Sequence, residues 1–234
     1  GATDVRALQA RVLAEKADLG IVVDPDVDRL ALISENGEMF GEEYTLVAVA
    51  DYVLKHTPGN TVSNLSSSRA LKDVTEAYGQ QYHAAAVGEV NVVAEMKRTH
   101  SVIGGEGNGG VIYPESHYGR DALVGVGLFL SHYVAQSKKM TELKSTYPPY
   151  FISKNKMTLS PDMDVDKILE GLKERYATEK VTDIDGVKID FAQGWVHLRK
   201  SNTEPIIRIY SEAKDEAAAN QLAEEVIAAA KSTL

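Results

Sequence analysis

Three aspartates at alternate positions between two apolar runs have the spacing that most clearly allows chemistry. Asp24, Asp26 and Asp28 lie in the stretch "ADLGIVVDPDVDRLALI", and Arg29 follows them. Carboxylates this close repel one another, and a hard cation with oxygen ligands, such as Mg²⁺, would relieve that repulsion. The motif therefore indicates a metal loop, with a solvated acidic turn between two strands as the other interpretation.

A calcium loop of the EF-hand type has partly the same spacing. The three aspartates fall at its first, third and fifth places, and Glu35 falls at its twelfth. That loop needs glycine at its sixth place, where this chain has Arg29, and it needs a helix on either side. Both flanks here are β-branched or Leu-rich strand candidates, so we exclude an EF-hand.

The second candidate loop is the glycine-rich stretch "GGEGNGG" at residues 104–110. Glycine permits positive φ angles and close approach of the backbone to a ligand. The carboxylate of Glu106 and the amide of Asn108 can accept from and donate to adjacent sugar hydroxyls. The spacing is not that of a dinucleotide-binding motif. A flexible turn without a ligand is the alternative.

The third candidate loop is "RKSNTEPIIR" at residues 199–208. Its hydroxyls, its amide and its successive backbone N–H groups can form a nest for an anion, and a guanidinium pairs with phosphate through two bonds. Arg208, on the next predicted strand, can point back to the same place. A polar turn beside a surface arginine is the alternative. Together the three loops indicate a phosphorylated sugar as the ligand.

Composition limits the remaining possibilities. The 234 residues are 44% hydrophobic, which is enough for a buried core in about one to two domains. The formal net charge of −9 argues against a nucleic-acid coat protein. The chain has no cysteine, which excludes disulfides and thiol chemistry and fits a reducing compartment. No apolar run is long enough to span a bilayer.

Predicted strands and helices alternate through about residue 143, which is typical of a parallel α/β layer sandwich. The chain begins with an amphipathic helix that no strand precedes, so we expect it to be a fragment. The stretch "TELKSTYPPYFISKNKM", residues 141–157, contains Pro148-Pro149 and predicts a linker. A helix, a hairpin, a strand and an Ala-rich helix follow, and they predict a small α+β domain of about 80 residues.

Three ordered motifs make the chain resemble the α-D-phosphohexomutase family, which includes phosphoglucomutases, phosphomannomutases and phosphoglucosamine mutases. "DPDVDR" resembles the metal loop DGDGDR of that family. "GEGNGG" resembles its sugar-binding loop, often GEMSGH or GEQSGH. "RKSNTEPIIR" resembles its phosphate-binding loop, RxSNTEP or RxSGTEP. The order and spacing of the motifs match as well, and the resemblance covers essentially the whole chain.

The resemblance implies an α/β fold, with a three-layer α/β/α sandwich domain followed by a smaller α+β C-terminal domain that is TATA-box-binding-protein-like. Family members have four domains. Residues 1–40 resemble the end of the second domain, residues 41–143 the sugar-binding third and residues 154–234 the phosphate-binding fourth. The first domain carries the phosphoserine and has no counterpart here. We therefore expect this chain alone to be inactive and to need the N-terminal domains of the same polypeptide as partners.

The resemblance also implies roles for individual residues. Arg29 would act at the phosphate that is transferred, beside a Mg²⁺ cofactor bound by Asp24, Asp26 and Asp28. The residues implied in sugar binding are Glu106, Gly107, Asn108, Gly110, Glu89, His117 and Arg120. The residues implied in holding the other phosphate are Arg199, Lys200, Ser201, Asn202, Thr203 and Arg208.

The chain departs from the family pattern in two of these loops. Pro25 and Val27 replace the two glycines of the usual metal loop, which should make this loop stiffer. Gly110 stands where many relatives have a histidine. His117 or Arg120 could supply the donor that is then missing.

The implied function is the interconversion of hexose 6-phosphate and hexose 1-phosphate through a bisphosphorylated sugar, in the cytoplasm and without nucleic-acid or membrane partners. Glu89 stands where glucose and mannose mutases often have a histidine and phosphoglucosamine mutases often have an acid. Its carboxylate could pair with an ammonium group, which favours glucosamine phosphate as the substrate. Glucose or mannose phosphate is the alternative within the class. A non-catalytic phosphosugar-binding module is the alternative outside it.

Overall fold

The structure is a computed structural model that describes residues 4–234. It divides the chain into two compact units, unit 1 up to Pro148 and unit 2 from Pro149 to Leu234. The predicted class, an α/β domain followed by a smaller domain built on an antiparallel sheet, is confirmed. The further domain boundary predicted at residue 40 lies within unit 1 and stays a prediction. In the described part of the chain, no helix has the length and apolar character needed to cross a membrane.

Unit 1 is built from alternating helices and strands. Its helices are α1 (Arg6–Glu15), α2 (Glu42–His56), α3 (Ala70–Ala77), α4 (Glu89–Thr99), α5 (Ala122–Gln136) and α6 (Met140–Ser145). Its strands are β1 (Leu19–Val23), β2 (Leu30–Ser34), β3 (Thr61–Asn64), β4 (Tyr82–Ala85), β5 (Ile103–Glu106) and β6 (Gly110–Ile112).

Four strands of unit 1 form a mixed sheet in the order β4-β3-β5-β6. Strand β3 runs parallel to β4 and β5, whereas β6 runs antiparallel to β5. Helix α4 packs on the sheet through Val92 and Met96, which meet Val62 of β3 and Ile112 of β6. Helix α2 contacts β5, α3 and α5. Helices thus flank the sheet, as the sandwich prediction requires.

Strands β1 and β2 form a separate antiparallel pair, in which Val23 lies opposite Leu30. The expectation of parallel strands through about residue 143 therefore does not hold for this pair, nor for β6, which runs antiparallel to β5. Residues 24–29 are too few for the crossover that parallel neighbours need. Helix α1 packs on the pair through Val12, which joins a buried cluster with Ile33 of β2. The pair holds the loop of aspartates at its tip.

Unit 2 is one antiparallel sheet with two helices. Its strands are β7 (Phe151–Thr158), β8 (Lys180–Thr182), β9 (Val187–Asp190), β10 (Gly194–Lys200) and β11 (Ile206–Ala213), in the order β7-β11-β10-β9-β8. Its helices are α7 (Val165–Arg175) and α8 (Glu216–Lys231). Leu172 of α7 and Val226 of α8 share one core with Leu198 and Ile209 of the sheet. One face of the sheet is therefore covered by helices.

The linker predicted at residues 141–157 is wrong over most of its length. It contains most of α6 and nearly all of β7, and only residues 146–150 lie outside helix and strand. Strand β7 gives little apolar signal because Ser153 and Met157 are its only buried residues. The strand forms through backbone pairing with β11 along its whole length, which its side-chain pattern does not indicate.

Candidate functional site

The aspartate loop, residues 24–29, connects β1 to β2 and brings its three carboxylates together. One oxygen from each of Asp24, Asp26 and Asp28 lies within 4.8 Å of the others. Asp24 is buried, Asp28 is half-buried and Asp26 is exposed. The predicted clustering of these side chains is thus present in the structure.

Strands on both sides of the aspartate loop confirm that it is not an EF-hand. Glu35, at the place of the twelfth ligand, lies beyond β2. Its carboxylate accepts hydrogen bonds from the backbone N–H and the hydroxyl of Thr141, both at 2.8 Å. Glu35 therefore connects the end of β2 to α6 instead of facing the aspartates.

Asp24 fixes the backbone of the aspartate loop. Its Oδ1 accepts hydrogen bonds from the backbone N–H groups of Asp28 (3.0 Å) and Arg29 (3.1 Å), and its Oδ2 accepts one from Nε of Arg29 (3.2 Å). Burial by itself raises the pKa of Asp24, but these donors and the charge of Arg29 outweigh burial and lower the pKa to about 2. Asp24 is therefore ionised at neutral pH, with Arg29 as its partner.

Asp28 has one oxygen that is paired and one that is not. Oδ2 forms an ion pair with Arg120, whereas Oδ1 is buried and has no hydrogen-bond partner within residues 4–234. Burial and the contact with Asp24 raise the pKa of Asp28, and Arg120 opposes them. A buried acceptor without a partner is costly. A hard cation held by three carboxylates would satisfy it, so the loop fits Mg²⁺.

Backbone strain in the aspartate loop lies at Val27. Its φ of 56° is in the left-handed region, which a β-branched residue rarely adopts. The carbonyl of Val27 accepts a hydrogen bond from the N–H of Ala122 at 3.1 Å. The start of α5 thus holds the loop from a second side.

The glycine loop, residues 104–110, lies against the aspartate loop. Gly109 has a φ of 87°, and its carbonyl accepts a hydrogen bond from the N–H of Leu30, directly after Arg29, at 3.0 Å. Asn108 is half-buried, and its Oδ1 accepts a hydrogen bond from the N–H of Gly110 at 3.2 Å. Two loops that the sequence separates by about 80 positions are therefore neighbours in space.

Glu106 is 5% exposed, and its carboxylate already has three donors. Its Oε1 accepts hydrogen bonds from Nδ2 of Asn64 and from the N–H of Gly88, both at 3.1 Å. Its Oε2 accepts one from Nη1 of Arg120 at 2.9 Å. These bonds fix the carboxylate and reduce its freedom to accept from sugar hydroxyls, so its predicted role in sugar binding stays a prediction.

Arg120 contacts carboxylates from three separate segments. Its guanidinium donates hydrogen bonds to Asp28 and Glu106. Its buried Nε lies 3.2 Å from Oε2 of Glu89, an ion pair that is not aligned for a hydrogen bond. Its backbone N–H donates to Oε1 of Glu89 at 3.1 Å. The guanidinium that the sequence suggested as a sugar ligand thus faces protein carboxylates.

His117 is exposed and paired with a neighbour on the same segment. Its Nε2 lies 2.8 Å from Oδ2 of Asp121, and this hydrogen bond is the first cause of the lowered pKa of Asp121. Oδ1 of Asp121 accepts from the N–H of Val124 and so caps α5. The hypothesis that His117 replaces the donor missing at Gly110 stays a prediction.

In unit 2, the turn between β10 and β11 is organised by Ser201. Its hydroxyl oxygen accepts hydrogen bonds from the N–H groups of Thr203 (3.3 Å) and Glu204 (3.2 Å). Ser201 is buried, whereas Asn202 and Thr203 are exposed. The capped turn that we weighed as an alternative is therefore present, and it presents the amide and the second hydroxyl outward.

A row of three cations crosses the sheet beside this turn. Arg199 of β10 lies opposite Arg208 of β11, and Arg208 lies opposite Lys156 of β7. Residues directly opposite each other in a sheet point to the same face, so the three charges are close together. Nε of Arg199 donates to Oδ1 of Asp185 at 3.0 Å, and Arg208 approaches Glu204 at 3.5 Å. Such a row of like charges suits an anion.

Lys200 differs from the other residues implied in phosphate binding. It follows Arg199 on β10, and successive side chains of a strand point to opposite faces. Lys200 is therefore on the other face of the sheet from Arg199, and we leave it out of the proposed phosphate site.

Sequence reasoning missed several residues that support these loops. Asn64 braces Glu106, Ser67 accepts from the N–H of Gly107, Asp185 holds Arg199, and Lys156 extends the row of cations. Asn64 and Ser67 lie in "SNLSSSR", a polar run after a strand, and that run was the one available signal. The other two have ordinary local patterns.

The chain thus consists of an α/β domain that joins an acidic loop to a glycine loop, followed by a sheet domain with a basic turn. Residues 41–150 match the family described as "Phosphoglucomutase/phosphomannomutase, alpha/beta/alpha domain III". Residues 154–229 match "Phosphoglucomutase/phosphomannomutase, C-terminal domain". The chain belongs to the α-D-phosphohexomutase family and contains its third and fourth domains.

Two curated relatives show how much of such a protein the chain represents. A phosphoglucomutase/phosphomannomutase of Thermococcus kodakarensis is 37% identical over 216 residues, which are 91% of this chain and 47% of the relative. A phosphoglucosamine/phosphogalactosamine mutase of Sulfurisphaera tokodaii is 33% identical over 216 residues, which are 90% of this chain and 48% of the relative. The chain thus spans about half the length of these relatives.

Solved structures show the same fold. A phosphoglucomutase/phosphomannomutase family protein of Burkholderia thailandensis matches all of this chain and 50% of its own, with a TM-score of 0.84 and 23% identity. An Aspergillus fumigatus N-acetylphosphoglucosamine mutase in complex with GlcNAc-6P and magnesium matches 89% of this chain and 51% of its own, with a TM-score of 0.62 and 14% identity. At these identities, the likeness shows the fold alone.

Proposed function

We propose that this chain supplies the metal, sugar and phosphate contacts of a phosphohexomutase that interconverts hexose 6-phosphate and hexose 1-phosphate. One observation carries the proposal, namely the junction of the aspartate and glycine loops. Leu30 donates to Gly109, and Arg120 pairs with both Asp28 and Glu106. A metal loop and a sugar loop that form one polar surface are what phosphoryl transfer to a sugar hydroxyl requires.

In this proposal, the aspartate loop is the metal site. Asp24, Asp26 and Asp28 would hold Mg²⁺, which acts as a Lewis acid on the transferring phosphoryl group when bound. Arg29 pairs with Asp24 through Nε, and 44% of its side chain is exposed. Its remaining N–H groups can donate to phosphoryl oxygens and offset the charge that develops there. The magnesium in the Aspergillus complex is consistent with this assignment.

The remaining loops would hold the rest of the substrate. Asn108, Glu106 and the backbone of Gly107 and Gly110 would bind sugar hydroxyls. The phosphate that is not transferred would be held by Arg199, Ser201, Asn202, Thr203 and Arg208. A bisphosphorylated intermediate must turn around between two transfers, so this second site has to accept the phosphate at either end of the sugar.

Glucosamine phosphate is the substrate that we favour. Glu89 begins α4 beside the glycine loop, and 37% of its side chain is exposed. Its pairing with Arg120 orients the carboxylate, and its exposed part can meet an ammonium group. The Sulfurisphaera relative acts on amino sugar phosphates by its name, whereas the Thermococcus relative is named for glucose and mannose phosphates. Glucose or mannose phosphate is therefore the alternative substrate.

Calorimetry and a mutase assay on the full-length protein test this proposal. Glucosamine, glucose and mannose 6-phosphates are titrated in the presence of Mg²⁺, and glucosamine 6-phosphate is expected to bind most tightly and to be turned over. Glu89→Gln should remove that preference, while Arg98→Gln, an exposed change on the same helix, should not. No binding of any hexose phosphate would contradict the proposal. Binding without turnover would favour the non-catalytic module.

A further inference from the structure

Arg120 has more buried carboxylate contacts than a surface ion pair needs. Its side chain is 18% exposed, and its three acidic partners come from the aspartate loop, the end of β5 and the start of α4. One planar guanidinium presents several donors in a fixed fork, so it can hold several carboxylates at set angles. The contacts are too many and too buried for a side chain that only covers the surface.

The sequence of the glycine loop makes room for this arrangement. A Cβ added at Gly110 would lie 2.5 Å from Cδ of Arg120 and 3.1 Å from Oδ1 of Asn108. Gly110 is thus the position that lets the stem of Arg120 pass. The position of the Arg120 side chain therefore depends on glycine at position 110.

The contact with Arg120 makes the two carboxylate oxygens of Asp28 different. Oδ2 is taken by Arg120, and Oδ1 is the buried acceptor that has no partner in the described part of the chain. The same guanidinium holds Oε2 of Glu106 through its other terminal nitrogen. A carboxylate whose Oδ2 is held in this way cannot rotate to offer that oxygen to a cation. Only Oδ1 of Asp28 is then available for one.

We propose that Arg120 is a positioning residue, which holds Oδ2 of Asp28 and Oε2 of Glu106 so that only Oδ1 of Asp28 faces the metal. The inference rests on the proposed function, since it needs the aspartate loop to bind a cation. It adds that metal binding and the geometry of the glycine loop depend on one side chain. It also means that Arg120 acts through protein carboxylates and does not need to touch the sugar.

Arg120→Lys separates the geometry from the charge. Lysine keeps the positive charge, but its single ammonium cannot reproduce the fork that holds Asp28 and Glu106 together. Calorimetric titration with Mg²⁺ should show an affinity about 10-fold weaker than wild type, as is typical when a residue that orients a metal ligand is changed. Gly110→Ala should weaken binding in the same direction by displacing an intact Arg120. Arg98→Lys, at an exposed Arg–Glu pair on α4, is the matched control and should bind as wild type.

Asp26→Asn tests the metal site separately from the role of Arg120. If it leaves the Mg²⁺ affinity unchanged, the aspartate loop is not the metal site, and both the proposed metal site and the role of Arg120 are wrong. If it weakens binding while Arg120→Lys and Gly110→Ala bind as wild type, only the role of Arg120 is overturned.

A crystal structure of the wild-type protein with Mn²⁺ gives a readout that does not depend on any variant folding. We expect Mn²⁺ to be bound by Oδ1 of Asp28, with Oδ2 still paired with Arg120. Coordination through Oδ2, with the ion pair broken, would overturn the inference.

Discussion

Glu106 and Asp28 in unit 1 are held very differently from Arg199 and Arg208 in unit 2. The two acids are buried or half-buried and share one arginine, which forms an ion pair with each of them. The two arginines lie at the edge of an exposed turn, and the partner of Arg208 is an exposed glutamate at 3.5 Å. The acids are thus built into the fold, whereas Arg208 is attached to its surface.

This difference predicts how each region responds to substitution. A buried charge that loses its partner destabilises the protein strongly, whereas an exposed ion pair contributes about 0–1 kcal/mol. Changes in the acidic network of unit 1 should therefore alter stability and ligand binding together. Changes at the exposed cations of unit 2 should alter ligand binding alone.

The largest effect is expected for Arg120→Ala. It leaves Asp28 and Glu106 with uncompensated charge, so unit 1 should lose roughly 3–5 kcal/mol of its free energy of unfolding. Urea denaturation followed by circular dichroism measures the loss. Arg98→Ala is the control, because 66% of the Arg98 side chain is exposed and its partner Glu95 lies three residues away on the same helix. It should cost less than about 1 kcal/mol. Equal losses of unfolding free energy in the two variants would contradict the distinction between buried and surface ion pairs.

Unlike the exposed cations of unit 2, His197 is a buried titratable group. It should make the stability of unit 2 depend on pH. It is 1% exposed, and its Nε2 lies 2.7 Å from the carbonyl oxygen of Asp185, whose carboxylate holds Arg199. Burial lowers the pKa of His197 to about 4, although the bond to Asp185 opposes the shift. The unfolded state therefore binds more protons between about pH 6.5 and 4, so stability is complete above that range and falls as the pH is lowered through it.

The loss should approach about 3 kcal/mol near pH 4, since one pKa unit corresponds to about 1.4 kcal/mol. Urea unfolding of unit 2 at several pH values measures it. His197→Gln, which can still donate to the carbonyl of Asp185 but does not titrate in this range, should flatten the dependence. An unchanged slope in that variant would show that other groups cause it.

Unit 1 also contains a hydrogen-bond network that does not involve the aspartate loop or the glycine loop. The hydroxyl of Tyr147 donates to Oδ2 of Asp51 at 2.8 Å and lies 2.7 Å from Nε2 of His132. Tyr147→Phe removes this hydroxyl and should cost about 2 kcal/mol, because the buried Nε2 of His132 loses its hydrogen bond. Tyr113→Phe, where the hydroxyl bonds to the exposed Glu115, is the matched control in the same unit. Mg²⁺ affinity should be unchanged in both variants.

Relief of backbone strain should stabilise the aspartate loop by a smaller amount. Val27 is exposed and in the left-handed region, where asparagine is tolerated. Val27→Asn should therefore add about 1 kcal/mol and raise the melting temperature by roughly 2–4 °C. Val27→Ala keeps a Cβ in the same conformation and should gain little. A lower melting temperature for Val27→Asn would mean that the apolar side chain matters more than the backbone angle.

The fold could be predicted where local pattern and final structure agree. Helices α2, α5 and α8 and strands β2 and β11 have strong apolar or helical periodicity, and all are present. The sequence does not predict β4, because "YHAA" has no β-branched residue, or β6, because it has only three residues. Their order comes from pairing with β3 and β5, which a local pattern does not contain.

The candidate site could be predicted as a set of motifs but not as a network. The aspartate and glycine loops have residue types that suit their proposed ligands, so sequence reasoning found them. The ion pair of Asp28 with Arg120 joins positions 92 residues apart, and no local sequence pattern predicts it. The same holds for Asp185, whose hold on Arg199 follows from the pairing of β9 with β10.

The smallest effect on stability, and the most selective effect on binding, is expected at Arg208. Its pair with Glu204 is exposed on both sides, so Arg208→Gln should change the free energy of unfolding by less than about 0.5 kcal/mol. The same change removes one charge from the row formed with Arg199 and Lys156, so binding of inorganic phosphate should weaken about 10-fold, as for the loss of one charge-assisted hydrogen bond. Lys180→Gln, at an exposed lysine on the far edge strand β8, is the control for net charge. Phosphate titration of both variants decides the matter: if the two lose affinity equally, the anion responds to total charge and not to a site built at the turn.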